Sequence, residues 1–300
     1  MVQADSAIPQ NKVRAEAVSE GFVMGSFRRI LFREALKNPR LQGFWRRIHN
    51  LTLFCMNYGG GGCIESSGEN WVLNEVVLPA SKRRTSPVVF DVGANQGEYS
   101  LQVRALLPKA HIYSFEPSRP TYETLQHEIS AAGAGAFIFP FNIGLSNTEG
   151  TLDLYTYSVD GGEASILSSI VMRLPTQEAK IEACRKDQIE VQTIDGFCQA
   201  NDITEIDLLK IDVEGHEIAV LQGAAAMIES HKINMIQFEF GPCNIYSRTF
   251  LYDFWSMLAD SYHFYRIIPQ GMVLIESYRE QHEVFLTSNY LAVGKWLNGA

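Results

Sequence analysis

Three hundred residues with 46% hydrophobic content can bury the core of one large domain plus an extension. A formal charge of −9 disfavours a general nucleic-acid-binding body. No run approaches the roughly 18 apolar residues of a membrane-spanning helix, and the opening MVQADSAIPQ lacks the basic-then-apolar order of a secretory signal. Five scattered cysteines, with no C-x-x-C pair, argue against a disulfide framework and a zinc site. A reduced, cytoplasmic protein without a bound metal is the expectation.

The first ~80 residues read as helical and then loop-like, an N-terminal extension (1–80) ahead of a single domain (81–300). Between Arg28 and Arg47 stand seven basic residues against one acid, so the remaining 18 basic and 33 acidic residues balance at −15. This segment interleaves Phe27, Ile30, Leu31, Leu36, Phe44 and Trp45 with its charges. Two readings are open: a helix docked on the acidic body, or a peripheral membrane or protein contact through residues 27–49. YGGGG at 58–62 is the clearest joint.

From Pro87 strands and helices alternate. Strands are predicted near 87–92, 111–116, 136–142, 206–212 and 234–240, and helices near 98–107, 119–132, 193–201, 216–230 and 248–260. The pattern indicates an α/β fold with a mostly parallel, doubly wound sheet. An insert after the third strand holds the alternating GTLDLYTY and a turn-rich stretch, 158–169. Its Asp160-Gly161-Gly162 and Ser165 would border a cleft as a lid. HFYRIIPQGMVLIES reads as a hairpin, and SNYLAVG as an antiparallel edge strand.

The run VVFDVGANQGEYS is a buried strand breaking through a glycine turn into a helix, half of a nucleotide-binding unit. It lacks the middle glycine of G-x-G-x-x-G, and Asp91 puts negative charge where a pyrophosphate would lie. That charge repels a phosphate and attracts an ammonium or sulfonium. S-adenosyl-L-methionine carries both cations and no phosphate, so it fits better than NAD. Glu116, ending the second strand in HIYSFEPSRP, can accept hydrogen bonds from both hydroxyls of an adenosine ribose.

Along IDLLKIDVEGHE, Lys210, Asp212 and Glu214 alternate toward one side of the fourth strand. Asp212, at the strand end, is the leading candidate to face the reacting groups, with Lys210 as its ion-pair partner. Glu239, ending the fifth strand in MIQFEF, would flank the same cleft. His216 could titrate near neutrality and ranks below Asp212 as a base. Glu217 reads as a helix-start acid favoured by the dipole. Tyr58, Trp71 and Tyr246 could stack on a ring, or pack as rim residues.

Taken together, FDVGANQGEYS, FEPSRPTYETL, FNIGLSN, LLKIDVEGHE and MIQFEF resemble the FkbM family of S-adenosylmethionine-dependent methyltransferases over roughly residues 86–240. The resemblance implies a Rossmann-like methyltransferase fold and methylation of a hydroxyl on a sugar or secondary metabolite, a small-molecule acceptor and no nucleic acid. It implies that Asp91, Gly93, Ala94, Asn95 and Gly97 surround the methionine end of the cofactor. Glu116 would hold the ribose, and Asn142, Ile143 and Gly144 would meet the adenine. Lys210, Asp212, Glu214 and Glu239 are then the catalytic candidates. Alternatives are a ribose methyltransferase acting on RNA, and a protein that binds the cofactor without turnover.

Overall fold

The computed structural model describes residues 13–15, 38–62, 64–81, 84–159, 166–170 and 181–298. In chain order the strands are β1 (Val13–Ala15), β2 (Val88–Val92), β3 (His111–Phe115), β4 (Ile138–Phe141), β5 (Gly144–Leu145), β6 (Gly150–Val159) and β7 (Ile166–Ser169). Then follow β8 (Ile181–Gln192), β9 (Leu208–Ile211), β10 (Met235–Phe240), β11 (Tyr262–Ile268), β12 (Gly271–Ile275) and β13 (Ser288–Gly294). Nine of them form one sheet in the order β1-β12-β11-β13-β10-β9-β2-β3-β4, and β5-β8-β6-β7 form a second. The stretch from β10 to β4 is parallel throughout.

Chain order runs outward from β2 through β3 to β4 on one side and from β9 to β10 on the other, so the sheet switches direction between β2 and β9. In open parallel sheets, the crevice beyond the carboxyl ends at this switch is where ligands bind. This is a doubly wound, Rossmann-like sheet, as the alternation predicts. SNYLAVG is antiparallel but is not an edge: β13 lies between β10 and β11 with all seven residues buried. Its near-continuous apolar content, rather than an alternation, is the signature of burial on both faces.

Helices cover both faces. One core layer packs Phe197, Val220, Leu221, Ile228, Phe254 and Leu258 under the sheet. They come from α7 (Ile194–Ala200), α8 (Glu217–Gln222), α9 (Ala225–Glu229) and α11 (Leu251–Leu258), while α10 (Cys243–Ser247) follows β10 directly. The other face is covered by α5 (Glu98–Leu106) and α6 (Arg119–Ala131). It is also covered by a segment expected to be loop-like, which is helical from residue 64: α2 (Ile64–Ser67), α3 (Glu69–Val72), a π-helical turn (Leu73–Val77) and α4 (Leu78–Ser81). Val72, Leu73, Val76 and Val77 form its buried stripe against Val89 and Leu208. The helix α1 (Gln42–Cys55) precedes it and buries no residue.

The helix predicted over 216–230 is two. Asp195, in α7, accepts from the amides of Ala226 and Met227 at 2.8 and 3.0 Å and caps the second piece separately. Gly223, at the break, lies where a Cβ would overlap the carbonyl of Ser146.

Candidate active site

Two tiers of polar side chains cross the carboxyl end of the sheet on the face covered by α5. In the lower tier Gln237, Lys210, Asp91 and Ser114 are successive register partners on β10, β9, β2 and β3. Each is buried. Two residues further along each strand, on the same side, come Glu239, Asp212, Gly93 and Glu116, the tier nearest the crevice. Polar residues in mid-strand of a parallel sheet require partners, and here Asp212 of the next tier, Tyr99 and Ser100 of α5 and Glu69 of α3 supply them.

Lys210 is the hub. Its ammonium donates to Asp212 Oδ2 at 3.2 Å, stands 3.7 Å from Asp91 Oδ1 and lies 5.2 Å from the centre of the Tyr99 ring. Burial alone would lower its pKa, but the carboxylates of Asp212, Asp91 and Glu69 outweigh burial and hold it raised. Asp91 accepts from Ser100 Oγ at 2.6 Å. Ser100 in turn meets Ser114 at 2.7 Å. Burial raises Asp91 despite the nearby ammonium.

This arrangement corrects the electrostatic reading of Asp91. Its carboxylate is wholly enclosed and does not line the crevice, so its charge is spent on Lys210 rather than presented to a ligand cation. The glycines also have structural reasons. A Cβ on Gly93 would overlap the carbonyl of Asp212 at a positive φ of 82°, and Gly97 (φ 93°) lies against Leu125. The close passage of β2 past the end of β9 is therefore what Gly93 permits. Ala94 is buried, its amide bonded to the carbonyl of Phe115 at 3.0 Å.

Glu116 sits on the crevice wall. It accepts from the Asn95 amide at 3.1 Å and the Ser118 amide at 2.8 Å, one to each oxygen, which leaves lone pairs on both for further donors. Burial pushes it up to about 7, against those two amides. Asn142 ties down the same turn, donating to the carbonyls of Glu116 and Pro117 at 2.9 and 3.0 Å. Gly144 lines the crevice, whereas Ile143 packs against the core.

The space in and above the crevice, open solvent included, is about 780 Å³. Val92, Phe115, Leu145, Leu154, Ile170 and Val213 give it apolar walls. Its charged lining among the described residues is Glu116, Asp212 and Glu214, with no lysine or arginine. Ser169 and Ile170 bring the near end of the predicted lid to its edge, while 160–165, including Gly161, Gly162 and Ser165, lie outside the described residues. Tyr58, Trp71 and Tyr246 do not line it; Tyr58 is buried 4.4 Å from the Arg266 guanidinium.

Asp212 leaves 36% of its side chain open, which makes it the accessible member of the Lys210 cluster. Glu214 also borders the crevice, but in a left-handed conformation (φ 58°), with its carboxylate accepting from the Cys243 thiol at 2.8 Å. Glu239 keeps some accessible surface, yet protein encloses its carboxylate. Burial first, then the charges of Asp212, Glu214 and Glu217, push it well up, and, against the expectation that it flanks the cleft, it is not among the residues lining the crevice. His216 is not a neutral-range base: burial lowers it to about 4 and its Nε2 meets Ser146 Oγ at 2.9 Å. Glu217 turns back onto the Gly215 amide at 2.8 Å, a helix-start role. Among the described residues no cluster of three or more His, Cys, Asp or Glu has metal-holding geometry.

Besides the serines, Glu69, Gln237 and Tyr99 join the network without a sequence prediction. Glu69, on α3, accepts from Gln237 Nε2 at 2.7 Å and Ser67 Oγ at 2.9 Å, and Tyr99 donates to Gln237 Oε1 at 3.3 Å. Burial raises Glu69, with Lys210 opposing. Gln237, polar inside MIQFEF, was the available signal; Glu69 had none, because its segment matches no pattern.

A sequence model described as the Methyltransferase FkbM domain matches residues 91–266. Among curated proteins the chain is 27% identical over 157 residues to the methyltransferase sdnD of Sordaria araneosa, covering 46% of this chain and 61% of that one. It is 24% identical over 193 residues to the hexuronic acid methyltransferase AglP of Haloferax volcanii (61% and 72%). To the 2-O-methyltransferase NoeI of Sinorhizobium fredii it is 25% identical over 144 residues (47% and 58%). The matched region thus spans about three fifths of sdnD and of NoeI.

Proposed function

The chain belongs to the FkbM methyltransferase family, and from that premise we propose that it is an S-adenosyl-L-methionine-dependent O-methyltransferase whose acceptor is a hydroxyl of a small molecule, a sugar or secondary metabolite. The observation that carries this reading is the pairing of Glu116 and Asp212 in one crevice that has carboxylates and no cationic lining among the described residues. Such a lining opposes the pyrophosphate of a dinucleotide and the backbone of an RNA, and suits a ligand with a sulfonium and an ammonium.

The donor set fits this cofactor. Glu116 would take the ribose hydroxyls on its free lone pairs, with Asn142 and Gly144 shaping the adenine side. The turn Gly93-Ala94-Asn95-Gly97 would skirt the methionine end. Bound there, the cofactor supplies an activated methyl group. Asp212 would then accept or orient the proton of the acceptor hydroxyl, a poor nucleophile until that proton is drawn away. Lys210, fixed by Asp91 and Glu69, positions Asp212. Glu239, raised by burial and by the charge of Asp212 and absent from the crevice lining, would act through Asp212 rather than on the acceptor. Glu214 would hold the turn that brings the crevice wall to Asp212. We divide the chain into an extension, 1–80, which lends Glu69, and a catalytic domain, 81–300, and take its setting as cytoplasmic. Among the described residues no helix is long and apolar enough to cross a membrane.

The test is acceptor-dependent formation of S-adenosylhomocysteine across free sugars, glycosides and hydroxylated metabolites. At least one acceptor should raise the rate about 100-fold over the acceptor-free background, the scale of positioned proton transfer. A uniform background across the panel, from a protein that still binds S-adenosylhomocysteine, would favour cofactor binding without turnover.

A further inference from the structure

The basic N-terminal segment is absorbed by none of this, and its described part, α1, is not docked on the body through its apolar side. Leu51 is 60% exposed and Phe54 78%, and Phe44 and Ile48 are exposed as well. Successive helical residues turn by roughly 100°. Phe44, Ile48, Leu51 and Cys55 therefore share one stripe, which Phe54 widens. The half-buried Trp45 and Leu53 lie toward the opposite side. Among the described residues the apolar stripe thus faces away from the protein.

Its charges select a partner. QGFWRRIHNLTLFC contains no acidic residue, and Arg40, Arg46 and Arg47 are all exposed, on a chain whose net charge is −9. By helical spacing Arg40 and Arg47 fall along the apolar stripe itself. Long arginine stems can lie on apolar surface while their heads reach polar groups. An exposed apolar stripe laced with cations, on an acidic body, is matched by a surface that is apolar within and anionic at its boundary. That is the interface of an anionic bilayer.

We propose that α1 is an interfacial helix that seats the protein on anionic membrane. The loop after it, through the amides of Gly59 and Gly61, bonds to the carbonyl of Thr287 at 3.0 and 3.2 Å, immediately before β13. Asn289 of β13 donates to the Gly61 carbonyl at 3.2 Å and is the register partner of Glu239. A bilayer-seated α1 is thus joined by a short hydrogen-bonded loop to β13, the strand that pairs with β10 at Glu239. This inference does not depend on the methyltransferase reading.

The test is co-sedimentation of the full chain with vesicles of phosphatidylcholine alone and of phosphatidylcholine with an equal part of phosphatidylglycerol. Binding should require the anionic lipid and fall at least about tenfold in 0.5 M salt or in Arg40→Glu/Arg47→Glu, given the contribution of each basic residue near a charged surface. Leu51→Ser/Phe54→Ser should weaken it comparably. Both pairs are exposed and should leave S-adenosylhomocysteine binding and the unfolding temperature unchanged. No binding to the anionic vesicles, equal binding to both compositions, or a dimer abolished by the same substitutions would each overturn the proposal.

Discussion

Asp212→Ala should reduce methyl transfer by at least about 100-fold, and up to about 10⁴-fold, while the affinity for S-adenosylhomocysteine changes little. The range is that of removing a positioned proton acceptor. The split is expected because Asp212 is the open end of the Lys210 cluster, whereas the proposed ribose contact falls on Glu116, held by different amides. Asp212→Asn tests the charge separately. It keeps the shape and a partner for Lys210, so an orienting role would survive in part and a proton-accepting role would not. Single-turnover rates with calorimetric affinities for each variant make the check. A loss confined to affinity would move Asp212 from the chemistry to cofactor binding.

Lys210→Met should cost stability. The ammonium is buried among Asp91, Asp212 and Glu69, and removing one partner of a buried ionic cluster typically costs about 3–5 kcal/mol. For a chain of this size that is a fall of roughly 10 °C in unfolding temperature. The sign with pH is definite. Burial already raises Asp91 and Glu69, and loss of the cation raises them further. Over the range between each acid's ordinary value and its raised value, the folded variant binds protons that the unfolded chain does not. Its stability therefore falls as pH rises through that window. The deficit relative to wild type should be smaller at pH 5 than at pH 8, by thermal unfolding at both. An equal deficit at the two pH values would mean that the cost is lost packing.

These expectations depend on features of unequal legibility. Strands β2, β3, β4, β9 and β10 were readable because each is an apolar run closed by a turn residue, whereas β5, β7 and β8 of the second sheet were not read as strands. The order of Asp91, Glu116, Lys210 and Asp212 along them placed all four at one end of the sheet. Which of the four a ligand can touch was not readable. Asp91 and Asp212 are both acids at strand ends, and only the register of β2 against β9 encloses the first and leaves the second open. Gly93 looked like a cofactor-binding glycine, and the structure gives it a packing reason against the Asp212 carbonyl.

The helical stretch from Glu69 was hidden for a different reason. Its apolar spacing is interrupted by a π turn, which shifts the buried stripe away from a 3.6-residue period, and Glu69 meets Gln237 across 168 positions of sequence. His216 likewise carried a local signal for a neutral-range titrating group, and burial beside Ser146 removes it. Long-range burial decided each of these, and burial is what a local pattern does not encode.

The crevice between Glu116 and Asp212 is the proposed seat of S-adenosylmethionine. Titration calorimetry with S-adenosylhomocysteine and with NAD, on wild type and Glu116→Ala, tests it most directly. Binding of S-adenosylhomocysteine alone is expected, weakened at least about tenfold in the variant, since hydrogen bonds to a charged acceptor contribute about 1.5–3 kcal/mol each. Binding of NAD alone, or S-adenosylhomocysteine affinity indifferent to Glu116, would contradict it.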